Sequence, residues 1–274
     1  MRRLTLLLSL PALLLAAEPT VQEMRITTPD DNVLSGTLRV PEGRGKHPAV
    51  ILVHSFRTDR TNWDALVEKL NDRGLATLAL DLRGHGQSAH AGNAIAATYM
   101  TASEVAGFDQ IPSDLVLVAA WLRRQKGIDG RHLGLAGANE GAFAALLAAS
   151  KIRPAVVLAL SPSGADAFGQ GAKDRMLAST TRAHAAVMSF SGLGDKEAED
   201  NVAPLRPLYG SNIRSFEGNQ RGFEYLEHYG DTMAVFFAEY LLHPHTGRGV
   251  QSPQQPADKT GATVLTPAAP PVQP

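Results

Sequence analysis

The sequence predicts an α/β fold: one domain built on a mainly parallel sheet, with an antiparallel hairpin at its N-terminal side and helices on both faces. Short apolar runs alternate regularly with segments of helical period. Several of those runs are apolar at every position, which marks strands covered on both faces. Two further segments at the start alternate apolar and polar residues across a single turn.

Residues 21–28 and 33–40 are those alternating segments, and Pro29-Asp30-Asp31-Asn32 between them has turn composition, so they read as a hairpin. Ala49-Val50-Ile51-Leu52-Val53 is the first buried strand. Trp63, Leu66, Val67 and Leu70 then recur at helical spacing, and Gly74 closes that helix. Residues 75–80 form a second buried strand ending at Asp81. Segment 90–110 has no clear period and reads as a cap over the strand ends. Leu115, Val118, Ala119 and Leu122 mark a helix opened by Pro112-Ser113-Asp114 and ended near Gly127. Residues 133–136 are a strand, 140–149 a helix, 155–160 and 185–190 strands, and 212–216 the last strand. Met233, Phe236, Phe237, Tyr240 and Leu241 stripe a closing helix, where the aromatics are core packing. There is no internal repeat and no second domain.

Charge and composition narrow the function classes. Lys plus Arg number 26 against 27 Asp plus Glu, a formal net charge of -1, so nothing draws the chain as a whole to phosphate backbones and nucleic-acid binding is not expected. With Cys 0, disulfides, thiolate metal sites, iron–sulfur clusters and a Cys nucleophile are all excluded. The chain opens MRRLTLLLSLPALLLAAEPT, two arginines before an apolar run and small residues, so residues 1–17 read as a secretory signal peptide. Leu15 departs from the usual small residue near the cleavage point. The expectation is an exported protein, periplasmic or secreted. The apolar run is short for a bilayer, so stable membrane insertion is expected only if the leader stays uncleaved. Residues 244–274, rich in Pro, Gly, Gln and Ala, read as a disordered tail, and His243 and His245 at its start as a polar helix end rather than a metal site. The domain therefore spans residues 21–243.

In open α/β sheets ligands bind outside the carboxyl ends of the strands. Here the first three buried strands end in His54-Ser55-Phe56, in Asp81-Leu82-Arg83-Gly84-His85-Gly86-Gln87-Ser88, and in Gly137-Ala138-Asn139-Glu140-Gly141 running into a helix. ILVHSF, LALDLRGHGQS and LGLAGANEGAFAALLAAS, in that order and spacing, resemble the α/β-hydrolase superfamily in its dienelactone-hydrolase and serine-aminopeptidase-like branch. The resemblance covers residues 21 to 243. It implies a Ser-His-Asp triad, with the serine in a G-x-S-x-G turn between strand and helix. It also implies an oxyanion hole, here the amides of Phe56 and Glu140, and it calls for no cofactor and no metal.

Two of the three triad positions depart from that pattern. Gly137 and Gly141 are in place, but Asn139 stands where the serine belongs, and no G-x-S-x-G occurs anywhere in the chain. A carboxamide is not a useful nucleophile for acyl transfer, although asparagine tolerates the positive φ of such a turn. Asp195, in Ser191-Gly192-Leu193-Gly194-Asp195, matches the acid. Arg221, in Glu217-Gly218-Asn219-Gln220-Arg221-Gly222-Phe223, stands where histidine belongs, and a guanidinium cannot act as a general base.

The expected protein is thus an exported α/β-hydrolase-fold chain with a degenerate triad, lacking ordinary serine-hydrolase activity and retaining room for a small carboxylate or ester-like ligand. Arg221 would pair with Asp195, bidentately in the simplest geometry, or project into the old site and bind an anion, which Glu140 would oppose. The alternative is an active esterase or peptidase-like hydrolase with Ser55 as nucleophile and His54, His85 or His228 as base. His54, Asp81 and His85 could also be read as a metal site, but they lack a compelling ligand spacing.

Overall fold

The alternating N-terminal segments form β1 (Thr20–Thr27) and β2 (Val33–Val40). The turn between them is closed by Thr28 N–H donating to Asn32 O at 2.8 Å, so Thr28 belongs to the turn and not to the strand. The later strand segments form β3 (His47–Val53), β4 (Ala76–Asp81), β5 (Ile128–Ala138), β6 (Val156–Leu160), β7 (Ala186–Gly192) and β8 (Ile213–Phe216). All eight make one sheet in the order β1-β2-β4-β3-β5-β6-β7-β8. Pairing is antiparallel from β1 to β2 and from β2 to β4, and parallel across the rest. The computed structural model describes residues 19–43, 45–89 and 101–243. The expected leader (1–17), the expected tail (244–274) and residues 90–100 of the expected cap lie outside the described residues.

Seven helices flank the sheet among the described residues: α1 (Asp64–Asn71), α2 (Ile111–Leu122), α3 (Glu140–Ile152), α4 (Ala172–Ala183), α5 (Lys196–Val202), α6 (Arg206–Tyr209) and α7 (Leu226–Leu242). Side chains alternate across each central strand. Ala49, Ile51 and Val53 of β3 join the core under α2, α3 and α4, while Val50 and Leu52 join the core under α1 and α7. A parallel sheet covered in this way removes both faces from water, which is why central strands such as β3 and β6 carry no polar alternation. Gly134 in β5 has the aromatic ring of Phe237 so close that a Cβ there would lie 2.8 Å from it, so α7 sits directly on the strand.

The structure adds elements that the apolar pattern does not signal. α4 carries no apolar period in the sequence because its buried face holds Ser179 and Thr180 beside Ala172, Met176 and Ala183. Those hydroxyls donate to Leu147 O and Met176 O, both at 2.8 Å, which makes their burial tolerable but erases the apolar period. α5 has only Ala198 and Val202 as buried apolar residues. Of the expected cap, residues 101–110 contain the short 3-10 turns Ala102–Glu104 and Phe108–Gln110, and Phe108 is buried in the core. Among the described residues no helix is long and apolar enough to cross a membrane.

Candidate active site

The turn from β5 into α3 holds a non-glycine residue at positive φ. Asn139 has φ 48° and ψ −114°, outside the regions that residues with a Cβ ordinarily occupy. Its N–H donates to Leu160 O at 2.8 Å and its carbonyl accepts from Phe143 N–H at 3.0 Å, which ties the turn to β6 and to the first turn of α3. The flanking glycines are steric requirements. A Cβ on Gly137 would lie 2.4 Å from Gly141 O, and one on Gly141 would lie 2.3 Å from His54 O. The sharp elbow that the motif implies is therefore present, with a carboxamide on it.

The two backbone N–H groups expected to hold an oxyanion are those of Phe56, just past β3, and Glu140, the first residue of α3. The Glu140 carboxylate itself fills this space. Its Oε2 accepts from Phe56 N–H at 3.1 Å and from Ser55 Oγ at 3.0 Å. Ser55 Oγ in turn accepts from Asn139 Nδ2 at 3.0 Å. Glu140 reaches across because Gly164 leaves it room: a Cβ on Gly164 would stand 2.5 Å from Glu140 Cγ. A carboxylate beside a helix N-terminus is also favoured by the helix dipole. Glu140, expected to oppose an incoming anion, stands with its own carboxylate at the Phe56 amide.

His54 and His85 do not serve Ser55. His54 is fully buried, its Nε2 accepting from Leu82 N–H at 2.9 Å and its Nδ1 lying 2.7 Å from Ser55 O. Burial, helped by the neighbouring His85, pushes its pKa down from 6.5 to about 3. His85 Nε2 accepts from Arg57 N–H at 3.0 Å, its Nδ1 lies 3.0 Å from Arg83 O, and burial lowers its pKa as well. Both rings are neutral pins joining the loops after β3 and β4. His228 is exposed on α7. Asp81 accepts from Arg60 N–H at 3.0 Å and Gln87 N–H at 2.9 Å, so its carboxylate shapes two loops. Among the described residues no group of three or more His, Cys, Asp and Glu could hold a metal ion.

Asp195 follows β7 and caps α5, its Oδ1 accepting from Ala198 N–H at 3.3 Å. Arg221 Nε donates to Asp195 Oδ2 at 2.8 Å. The guanidinium is half-exposed and the carboxylate buried, and the contact runs through Nε rather than through a two-pronged fork. The Arg221-Gly222 loop lies against the elbow: a Cβ on Gly222 would stand 2.9 Å from Asn139 Oδ1. The structure thus brings Asn139, Asp195 and Arg221, the expected triad positions, close together, yet does not chain them. Asn139, Ser55 and Glu140 form one hydrogen-bonded set, Asp195 and Arg221 another. Ser161, outside the expected site, ties the Gly222 loop to the end of β6 by accepting from Gly222 N–H at 3.1 Å. Its positive φ of 49° at the end of β6 has no sequence signal comparable to a glycine. Glu199 is a second unforeseen support, accepting from Arg206 Nη2 and Ser215 Oγ, both at 2.6 Å, beneath the β7 end. Two concavities, of about 460 and about 300 Å³, involve Leu147, Phe168 and Ser179 in one case and Arg83 and Asp114 in the other, and neither includes Asn139, Asp195 or Arg221.

Chemically, this arrangement offers a hydroxyl with a carboxylate acceptor, an occupied Phe56 amide and an Asp195–Arg221 charge pair. A family model described as serine aminopeptidase, S33, matches residues 45–189. An uncharacterized 31.7 kDa protein in the traX-finO intergenic region of Escherichia coli is 31% identical over 106 residues, 38% of this chain and 33% of that protein. The thiohydrolase aneE of Aspergillus aculeatus is 27% identical over 192 residues, 69% of this chain and 56% of that one. The matches thus span from about a third to just over half the length of these relatives. The solved dienelactone hydrolase of Anabaena variabilis aligns with a TM-score of 0.60 at 19% identity, covering 83% of this chain and 99% of that one. At that identity the likeness speaks for the α/β-hydrolase fold.

Proposed function

Because the chain belongs to the serine aminopeptidase S33 family, we propose that it is a member whose hydrolytic centre has closed on itself: an exported protein without ordinary serine-hydrolase activity. The observation that carries this reading is the Glu140 carboxylate on the Phe56 amide and the Ser55 hydroxyl, at 3.1 and 3.0 Å. An ester or amide carbonyl would need that amide to stabilise its developing negative charge. Asn139 in the nucleophile position and Arg221 in the base position support the same reading, since neither can supply the missing step. What the protein retains is the scaffold and the loops at the strand ends, with Arg221 half-exposed beside them. A small carboxylate or ester-like molecule is the ligand class proposed for that surface.

The second reading, an active hydrolase using Ser55, has one observation in its favour. Ser55 Oγ donates to Glu140 Oε2 at 3.0 Å, so a carboxylate rather than His54 or His85 would be its base. Purified protein is assayed with short-chain p-nitrophenyl esters and a fluorophosphonate probe. No turnover and no labelling is the expected result. Turnover and labelling that both vanish in Ser55→Ala would overturn the closed-centre reading and establish the second. Export is checked separately, by N-terminal sequencing of protein recovered outside the cytoplasm.

A further inference from the structure

Asn139 has three properties that bear on its own covalent chemistry. At ψ −114° the Cα–Cβ bond nearly eclipses the bond from the carbonyl carbon to Glu140 N. Cβ is therefore held on the same side as the next amide nitrogen, the torsion about Cα–C that a five-membered ring closed between that nitrogen and the carboxamide carbon requires. Ordinary helical and extended backbone does not supply it. Glu140 is the first residue of α3, so its N–H is one of the helix's donors without an intrahelical partner, and the positive end of the dipole eases loss of its proton. Finally, Asn139 Oδ1 is buried with no hydrogen-bond partner, so the carboxamide is held by the Nδ2 contact to Ser55 and no hydrogen bond at its carbonyl has to break for it to turn toward that nitrogen.

We infer that Asn139 is a self-modification site, deamidated in the folded chain by its own Glu140 amide. Glu140 N gives up its proton and attacks Asn139 Cγ. The Cγ–N bond forms as the Cγ–Nδ2 bond breaks. The Glu140 side-chain carboxylate takes up the amide proton, directly or through a water, and returns it through the Ser55 hydroxyl, which lies 3.0 Å from both Oε2 and Nδ2. Ammonia leaves. Water then opens the succinimide at Cγ to give aspartate, or at the backbone carbonyl to give isoaspartate. One water is consumed, one ammonia is released, and no oxidant or cofactor takes part. The product sets a second carboxylate beside that of Glu140, and their repulsion favours release of Glu140 from the Phe56 amide. The step rests on the elbow geometry alone and holds whether or not the chain hydrolyses esters.

The test follows the peptide containing Asn139 by mass spectrometry, in the folded full-length chain and in the same chain held in denaturant, at neutral and mildly alkaline pH. The readout is the mass gain of amide-to-acid exchange, with uptake of heavy oxygen from labelled water. Conversion is expected to be about 5- to 150-fold faster in the folded chain, corresponding to about 1–3 kcal/mol of backbone strain that the elbow has already met. Conversion should also rise with pH, and be lost in Asn139→Gln, whose ring would be larger. An unchanged Asn139 in the folded chain, or conversion no faster than in denaturant, overturns the inference. So does the same mass gain in that peptide of Asn139→Gln.

Discussion

Combining Asn139→Ser with Arg221→His restores the residue types of a Ser-His-Asp triad around Asp195, yet the structure predicts that this double variant remains nearly inactive until Glu140 is also changed. A substrate oxyanion must displace Glu140 Oε2 from Phe56 N–H and from Ser55 Oγ, contacts of 3.1 and 3.0 Å. Hydrogen bonds to a charged group contribute about 1.5–3 kcal/mol each, but Glu140 is half-buried and regains water on leaving, so about 2–4 kcal/mol is the reasonable net cost. At about 1.36 kcal/mol per decade, that lowers kcat/KM by about 30- to 900-fold. The assay compares kcat/KM for p-nitrophenyl acetate between the double variant and the triple variant carrying Glu140→Ala, with far-UV circular dichroism and Tm confirming that both fold. Equal activity in the two would refute the reasoning, because Glu140 would then be no obstacle. A folded but inert triple variant would refute the assignment of Arg221 to the histidine position.

The pKa of His54, lowered by burial from 6.5 to about 3, makes stability pH-dependent. Below about pH 6.5 the unfolded chain takes a proton that the folded chain refuses, so this contribution is full above that pH and is lost as pH falls toward 3, about 2 kcal/mol by pH 5. Urea unfolding at pH 7 and pH 5 should show a smaller loss in His54→Gln than in the parent, and equal losses would contradict the assignment. Arg83 holds Asp114 through Nε and Nη2 at 2.6 and 2.7 Å, both groups buried, and Asp30 through Nη1 at 2.6 Å with that carboxylate half-exposed. Asp114→Ala should therefore cost about 3–5 kcal/mol in denaturant titrations and Asp30→Ala about 1 kcal/mol or less, an ordering that similar costs would refute.

How far the sequence could be read depended on whether the physics was local. β3, β4 and β6 were legible because a strand covered on both faces must be apolar throughout. The elbow was legible because Gly137 and Gly141 sit where any side chain would strike backbone. α4 was not, since Ser179 and Thr180 satisfy their hydroxyls within the helix or against α3 and thereby hide its buried face. Within the site, the pairing of Asp195 with Arg221 follows from charge, whereas its single Nε contact depends on the path of the Gly222 loop and on Ser161. The reach of Glu140 to Phe56 was out of view altogether. It depends on Ser55, 85 positions away, and on the missing side chain of Gly164.

The position of the Glu140 carboxylate has a consequence for binding measurements. Because it is joined by its own short side chain to the first residue of α3, it competes for the Phe56 amide as an intramolecular ligand, at an effective concentration of at least millimolar order. Any free carboxylate must exceed that local concentration before occupancy becomes visible. Titrations at micromolar acetate or short-chain acid would register an empty response even if the amide were a competent acceptor of anions. The same molecule with Glu140→Ala would bind at far lower ligand concentrations, so apparent selectivity at this site is a matter of tethering more than of shape.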